Sequence, residues 1–227
     1  MQIRTESNLS SRQFVGWPTC SIIAAWLAAI AFSYFSLMRY QFATIDVSPS
    51  GVIERWPSGS KLPQRPDHST LVLFLHPKCP CSRATLSELE RLFTSIEGRT
   101  IGKLDFVVDA TVPANPGDDW LNTATLERAK TIPGAQIFID RGGIEAATFG
   151  ATTSGFVMLF DENNARRYAG GVTESRGHEG DSAGSRDLAR ILCGEVNITE
   201  SIPAFGCRLC LPENQSRMKA ASDSGAT

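Results

Sequence analysis

Long runs of basic residues and internal repeats are both missing from this chain. Its 227 residues carry 22 lysines and arginines against 24 aspartates and glutamates, which gives a formal net charge of −2. Nucleic-acid-binding proteins usually show a clustered excess of positive charge, so this balance argues against nucleic acid as a partner. The apolar fraction of 42% is ordinary. It predicts one core of typical size plus appendages, and it excludes a disordered or collagen-like chain.

Charged side chains are absent from Gln13 to Met38. We expect residues 18–39 to form a transmembrane anchor, because Pro18 to Met38 would make a helix of about 30 Å, the hydrocarbon thickness of a bilayer. The alternative is a cleaved signal peptide with Ala29-Ile30-Ala31 as the small-residue cleavage site. An uncleaved anchor is favoured because the apolar run continues past that site, at Phe32, Tyr34, Phe35 and Leu37.

The residues around this apolar span bear on its orientation. Arginines on the two sides are nearly balanced, with Arg4 and Arg12 before the span and Arg39 and Arg55 after it. A short N-terminal tail, here residues 1–17, ahead of a first apolar segment most often stays in the cytoplasm while the following domain is exported. We therefore expect a single-pass protein of the cytoplasmic membrane with an extracytoplasmic domain. The domain's five cysteines fit an oxidising compartment, though they would fit a metal site equally well.

Proline, glycine and serine mark residues 40–69 as a spacer, with a short hairpin suggested around Val52 to Trp56. The soluble domain is expected over residues 70–211, and residues 212–227 have the composition of a disordered tail.

Within the domain, apolar runs alternate with stretches of helical periodicity. The expected elements in order are a strand Leu71–Leu75, a helix ended by Gly98, a strand Leu104–Val108, a helix Trp120–Lys130, a strand Gln136–Ile139, a helix Ile144–Phe149, a hairpin of Phe156–Phe160 and Arg166–Ala169, and a helix Ser185–Leu192. This order predicts an α/β fold with a central mixed sheet flanked by helices. Arg83 and Glu88 are expected on the solvated face of the first of these helices.

The sequence Cys79-Pro80-Cys81-Ser82 falls where the first strand ends and the first helix begins. Pro80 suits the first helical position, where its missing N–H costs nothing, so Cys79 is expected to be the N-cap. The open N–H groups, the helix dipole and the charge of Lys78 should then stabilise the Cys79 thiolate. Such surroundings bring a cysteine pKa from about 8.5 to roughly 3.5–7.5. Cys79 is therefore the candidate reactive thiol, and a buried structural cysteine is the alternative.

The partner of Cys79 is left open by the sequence. Cys81 lies within bridging range, although positions i and i+2 of a regular helix point about 200° apart, so a disulfide between them would be strained. We favour this pairing, with Cys207 or Cys210 as alternatives. The motif Cys207-x-x-Cys210 indicates either a local disulfide that ties down the C-terminus or two soft metal ligands.

Residues Thr70 to Cys193 resemble the thioredoxin-like superfamily, especially membrane-anchored bacterial proteins of the TlpA and ResA type. In that resemblance Cys79 matches the nucleophilic cysteine, whereas Ser82 stands where the second cysteine is expected. Gly155, after Ser154, stands at the family's cis-proline beside the active site. That proline shields the thiols from metal, so its absence makes metal binding more plausible. Less strongly, the Cys-Pro-Cys and Gly-His-Glu-Gly segments resemble a RedB-like bacterial group.

The resemblance implies a thiol-disulfide oxidoreductase in which Cys79 attacks and Cys81 resolves, with protein thiols or disulfides as partners and no required cofactor. Such partners would belong to a respiratory or cytochrome assembly system, on the periplasmic side of the inner membrane. His178, in an insertion at Ser175–Asp181, is expected near Cys79 as a base or a ligand, though a solvated loop is nearly as plausible.

Two other functions fit the same resemblance. In the first, a metallochaperone resembling the Sco group would hold copper or zinc through Cys79, Cys81 and His178. In the second, a haem or electron-transfer accessory module would use the fold only for docking, and Cys79 would then have ordinary reactivity.

Overall fold

The structure is a computed structural model that describes residues 17–42, 53–99, 103–195 and 202–212. The chain divides into two compact units, Met1–Tyr40 and Gln41–Thr227. Nearly all of the two predicted tails, residues 1–16 and 213–227, lies outside the described residues.

The first unit contains one long apolar helix, α1, which runs over Trp17–Gln41. Its segment Thr19–Gln41 has a mean hydropathy of 1.9 and is long and apolar enough to cross a membrane. Large apolar side chains along it are exposed, among them Ile22, Trp26, Phe32 and Phe35. The helical span predicted at residues 18–39 is thus present. A signal sequence near the N-terminus can meet the same criteria of length and hydropathy.

The second unit is built on a five-stranded sheet. The strands are β1 (Ser69–Leu75), β2 (Leu104–Val112), β3 (Ala135–Arg141), β4 (Phe156–Phe160) and β5 (Arg166–Gly171), in the spatial order β3-β2-β1-β4-β5. β1, β2 and β3 are parallel, whereas β4 is antiparallel to both β1 and β5. The predicted α/β fold with a central mixed sheet flanked by helices is confirmed.

Helices cover the sheet on both faces. They are α2 (Cys81–Ser95), α3 (Asp118–Leu121), α4 (Ala124–Thr131), α5 (Ile144–Thr148) and α6 (Ala183–Leu192). Because side chains alternate along a strand, Leu71, Leu73 and Leu75 face one core with α2, α4 and α6. Val72 and Phe74 face the other core. Burial on both faces explains why β1 is a continuous apolar run.

One predicted helix is divided in two. The helix expected over Trp120–Lys130 is interrupted between α3 and α4, at Asn122 and Thr123. Thr123 has extended backbone angles, and its side chain accepts a hydrogen bond from the Leu126 N–H. A threonine that caps a new helix in this way ends the preceding one.

The described part of the predicted spacer packs on the domain. The ring of Trp56 lies edge-on to Phe149 and Phe160, with centroids 5.0 and 5.2 Å away. Residues 53–56 do not form a local hairpin. Their backbone pairs instead with the β4–β5 turn, where Trp56 N–H donates to Asn164 and Arg55 bridges Ala165. The domain fold therefore includes residues before Thr70.

Candidate active site

The turn that joins β1 to α2 holds Cys79 in place. The Cys79 N–H donates to the His76 carbonyl at 2.9 Å, and the Ser82 N–H donates back to the Cys79 carbonyl at 3.2 Å. Pro80 is the N-cap, with helical angles (φ −63°, ψ −28°) and no side-chain cap hydrogen bond. The prediction that Cys79 is the N-cap was wrong, since Cys79 lies one residue before the observed cap. The proline ring fixes a helical φ, which allows the turn to begin winding at Pro80 itself.

The Cys79 sulfur is almost completely buried, with 1% of the residue exposed. Burial raises the pKa of this thiol, but hydrogen bonds from the Cys207 thiol and from the backbone N–H groups of Cys207, Cys81 and Ser82 lower it, and the pKa falls below its ordinary value. Buried apolar surroundings would have had the opposite outcome. The chain therefore provides a site for a sulfur anion at the start of α2.

Lys78 does not supply the predicted stabilising charge. Its ammonium group is paired with Asp119 and lies 4.3 Å from the centroid of the Trp120 ring. Trp120 also meets the ring of His76 edge-on at 5.0 Å. Lys78 thus joins the turn to α3, and the donors at Cys79 come from the backbone and from a second thiol.

The thiols of Cys81 and Cys207 and the guanidinium of Arg176 lie close to Cys79. Burial, followed by the charge of Cys79 and a hydrogen bond to it, raises the pKa of Cys81, while Arg176 opposes the shift. Burial, followed by the same two interactions with Cys79, raises the pKa of Cys207 to about 12, and Arg176 again opposes the shift. Of the three thiols, Cys79 has a lowered pKa and its two neighbours have raised pKa values, so Cys79 is the first to lose its proton. We call Cys79, Cys81, Cys207 and Arg176 the thiol cluster.

Ser154 and Gly155 lie against the turn between β1 and α2 and against α2 itself. The buried Ser154 hydroxyl accepts a hydrogen bond from the His76 N–H at 2.8 Å and lies 2.7 Å from the Ser82 hydroxyl. Gly155 has φ +89°, and a Cβ there would lie 2.8 Å from Thr85 Oγ1. No cis peptide bond occurs in the described part of the chain. Glycine here therefore allows both the positive φ and the close approach to α2.

The insertion at Ser175–Asp181 brings Arg176, not His178, to the thiols. His178 is exposed. The loop is anchored on α2 through Glu88, whose Oε1 accepts a hydrogen bond from the Gly180 N–H at 2.6 Å. Glu88 is only 3% exposed, so the prediction that it lies on the solvated helix face was wrong, while Arg83 is exposed as expected. The sequence analysis did not predict Arg176, because it considered only His178 in this loop.

Cys207 reaches Cys79 through a segment that we call the C-terminal strap, residues 202–212. The strap begins at the edge of β5, where Ile202 N–H donates to Ala169 and Gly171 N–H donates to Ile202. It then pairs antiparallel with residues 152–154 through a bridge between Thr153 and Arg208. Cys79, Cys81, Cys207 and Cys210 are all thiols, so a local disulfide between Cys207 and Cys210 stays a prediction, as do the alternative pairings of Cys79. Burial alone raises the pKa of Cys210.

The residues proposed as metal ligands are not assembled. Among the described residues, no group of three or more His, Cys, Asp or Glu side chains could hold a metal ion. His178 is exposed and absent from the interactions that set the thiol pKa values. The Cys79, Cys81 and His178 set therefore does not fit a copper or zinc site in this conformation.

No family model and no curated protein matches the chain. Among solved structures, a hypothetical protein from Sinorhizobium meliloti is similar at 21% identity over 63% of this chain and 79% of its own, with a TM-score of 0.48. A secreted Mycobacterium tuberculosis disulfide oxidoreductase homologous to Escherichia coli DsbE is similar at 12% identity over 69% and 98%, with a TM-score of 0.37. A SCO1/SenC family lipoprotein from Bacillus anthracis is similar at 12% identity over 55% and 79%, with a TM-score of 0.35.

Proposed function

We propose that the protein is a thiol-disulfide oxidoreductase that α1 anchors in a membrane and whose nucleophile is Cys79. The observation that carries the proposal is the set of hydrogen-bond donors around a buried sulfur, which includes the Cys207 thiol and three backbone N–H groups. Thiolates, not thiols, attack disulfides, so a group that holds this sulfur as an anion favours exchange.

The exchange would proceed through a mixed disulfide. The Cys79 thiolate attacks one sulfur of a partner disulfide, a new S–S bond forms, and the partner's other sulfur leaves as a thiolate. A second thiol of this chain then attacks Cys79, which forms an internal disulfide and releases the partner as a dithiol. Two electrons pass from the protein to the partner, and the reverse sequence oxidises a partner dithiol. Cys81, the resolving residue suggested by the sequence, and Cys207 both hydrogen bond to Cys79.

The stabilised thiolate also favours one direction. Hydrogen bonds to Cys79 lower the free energy of the reduced form, whereas a disulfide sulfur is a much weaker acceptor. A protein whose reduced form is stabilised has an oxidising disulfide, as the contrast among known thiol-disulfide proteins illustrates. We therefore propose that the disulfide form oxidises partner dithiols. In an extracytoplasmic compartment, those partners would include proteins of a respiratory or cytochrome assembly system.

The copper-chaperone and docking-only functions are less well supported. The metal donors are not brought together, and a protein that uses its fold only for docking has no need for a Cys79 thiol of lowered pKa.

An exchange assay tests the proposal. We expect the purified full chain in detergent to exchange disulfides with glutathione and with a small reduced peptide, and Cys79→Ala to lose at least 100-fold in rate. Cys193→Ala is the matched control, because Cys193 lies at the end of α6, with its sulfur 3.9 Å from Arg99. Equal rates for the parent and Cys79→Ala would contradict the proposal.

A further inference from the structure

The C-terminal strap lies in a groove that is lined with glycine. A Cβ at Gly143 would lie 1.9 Å from the Cys210 carbonyl oxygen, and one at Gly171 would lie 2.7 Å from the Pro203 carbonyl oxygen. On the strap itself, a Cβ at Gly206 would lie 1.8 Å from the Ser154 carbonyl oxygen. Backbone approaches as close as these are open only to glycine. The strap therefore has a specific seat that runs from β5 past the thiol cluster to the turn before α5.

The seated strap holds Cys207 at Cys79 and keeps it away from Cys210. Ser154 N–H donates to the Cys207 carbonyl at 2.8 Å, and Leu209 N–H donates to the Thr152 carbonyl at 2.9 Å, which keeps residues 207–209 extended. Three residues of extended chain span about 10 Å, whereas a disulfide needs Cα atoms within about 7 Å. The extended backbone thus disfavours a disulfide between Cys207 and Cys210 while the strap is seated.

Cys81 is less well placed than Cys207 to bond to Cys79. It is the first residue of α2, two positions after Cys79, and Cβ vectors at this spacing diverge where the chain is helical. Cys207 approaches from a different segment, and its thiol donates a hydrogen bond to the Cys79 sulfur. The contact between two sulfurs from separate segments needs no distortion of the turn.

We propose that Cys207 is the residue that completes the disulfide with Cys79, and that the strap carrying it covers the site until a partner opens this bond. The inference rests on the proposed oxidoreductase function and assigns the second redox-active residue of that site.

The accessible end of this disulfide is Cys207. Cys79 is buried, while Cys207 is half-buried, so an incoming partner thiolate reaches the Cys207 sulfur first. Attack there forms a disulfide between the partner and Cys207, and Cys79 leaves as the thiolate that the backbone donors stabilise. The partner's second thiol loses its proton to solvent and attacks the partner's first sulfur, the one bonded to Cys207 in that mixed disulfide. Cys207 leaves and takes up a proton, and the partner departs oxidised. The Cys79 thiolate, no longer covered by the strap, then attacks a more oxidising partner disulfide, as proposed above. Cys207, after losing its proton to solvent, attacks Cys79 in this mixed disulfide, which restores the Cys79–Cys207 bond and releases that partner as a dithiol.

Peptide mapping tests the assignment directly. Trypsin cleaves after Lys78, Arg83, Arg190, Arg208 and Arg217, which separates peptides 79–83, 191–208 and 209–217. The full chain in detergent is oxidised with excess oxidised glutathione, blocked with iodoacetamide and digested. We expect peptide 79–83 linked to peptide 191–208. The link should persist in the Cys81→Ser, Cys193→Ser double variant and disappear in Cys207→Ser.

Other outcomes overturn the inference. An internal disulfide within peptide 79–83 would assign Cys81 as the partner of Cys79. A link between peptides 191–208 and 209–217 that survives Cys193→Ser would pair Cys207 with Cys210 instead of Cys79. Retention of a link to peptide 191–208 in Cys207→Ser would assign Cys193. Any of these with normal exchange activity would refute the role of Cys207 and leave the proposed function standing. A parent chain that exchanges no disulfide would refute the function itself.

Discussion

At the scale of single residues, Cys79 shows how hydrogen bonds can outweigh burial. Its sulfur is as buried as the surrounding core, yet four donors lower its pKa. The sequence predicted a stabilised thiolate at this position from the strand, the proline and the helix. It could not identify Cys207 as a donor, because no local spacing relates the two cysteines. It also assigned the stabilising charge to Lys78, whose neighbour Asp119 is distant in sequence.

At Asp109, in contrast to Cys79, burial outweighs hydrogen bonding in setting the pKa. Its carboxyl group is fully buried with neither oxygen hydrogen bonded. Burial first, then the charges of Asp140 and Glu145, raise its pKa well above the ordinary value. A raised folded-state pKa means that stability is fully present below the unfolded pKa of about 3.9 and falls as the pH rises towards the folded value.

We predict that Asp109→Asn stabilises the protein relative to the parent, by about 1 kcal/mol or more at pH 7, because it removes this cost of ionisation. The advantage should grow between pH 4 and pH 7. The measurement is the free energy of unfolding of the reduced protein in urea as a function of pH. An advantage that shrank as the pH rose would contradict the assignment.

Asp105 is the matched control, since a hydrogen bond from Arg65 lowers its pKa despite burial. A lowered pKa contributes stability above the unfolded value of about 3.9, and this stability is lost as the pH falls. Asp105→Asn should therefore destabilise the protein at pH 7 and have less effect near pH 3. The two aspartates, both on β2, should thus respond with opposite signs.

At the scale of elements, the strands were predicted well and the connections were not. Apolar runs report burial directly, so β1, β4 and the mixed character of the sheet followed from the sequence. The division of α3 from α4 depends on the Thr123 cap. The position of the strap depends on backbone pairing with residues 152–154. Such pairing leaves no periodic pattern in the sequence, so it could not be predicted. The glycines that receive it, such as Gly143 and Gly171, were interpretable only once their neighbours were known.

A single added methyl group, the Cβ of Gly143→Ala, can displace the strap from its seat. We predict that Gly143→Ala speeds alkylation of Cys79 by iodoacetamide several-fold in the reduced protein, because its Cβ would overlap the Cys210 carbonyl. Gly134→Ala is the matched control, since Gly134 also has a positive φ but has open space around its Cβ. Alkylation rates measured by mass spectrometry should differ between the two variants. Equal rates would show that the strap does not limit access to Cys79.

At the scale of the whole molecule, the chain joins a helix that is long and apolar enough to cross a membrane to a domain that carries the thiol cluster. The exposed apolar side chains of α1 would be covered by lipid if the helix spans a bilayer. Length and composition suffice to predict such a helix, but they do not distinguish an anchor from a signal sequence.

We predict that the mature protein retains residues 18–39 and stays in the membrane fraction after an alkaline carbonate wash, because an apolar helix of this length is held by the hydrocarbon core. The intact mass of the membrane-extracted protein is the measurement. A mass that corresponds to cleavage after Ala31, with the protein in the soluble fraction, would contradict the anchor and leave the chemistry of the thiol cluster unaffected.

The central claim is that Cys79 is a stabilised thiolate, and a titration tests it most directly. The measurement is the absorbance at 240 nm of the reduced full chain against pH, as the difference between the parent and Cys79→Ala. The account predicts a Cys79 midpoint below the ordinary value of about 8.5. A midpoint at or above that value would show that burial dominates at this sulfur, and the proposed exchange chemistry would lose its physical basis.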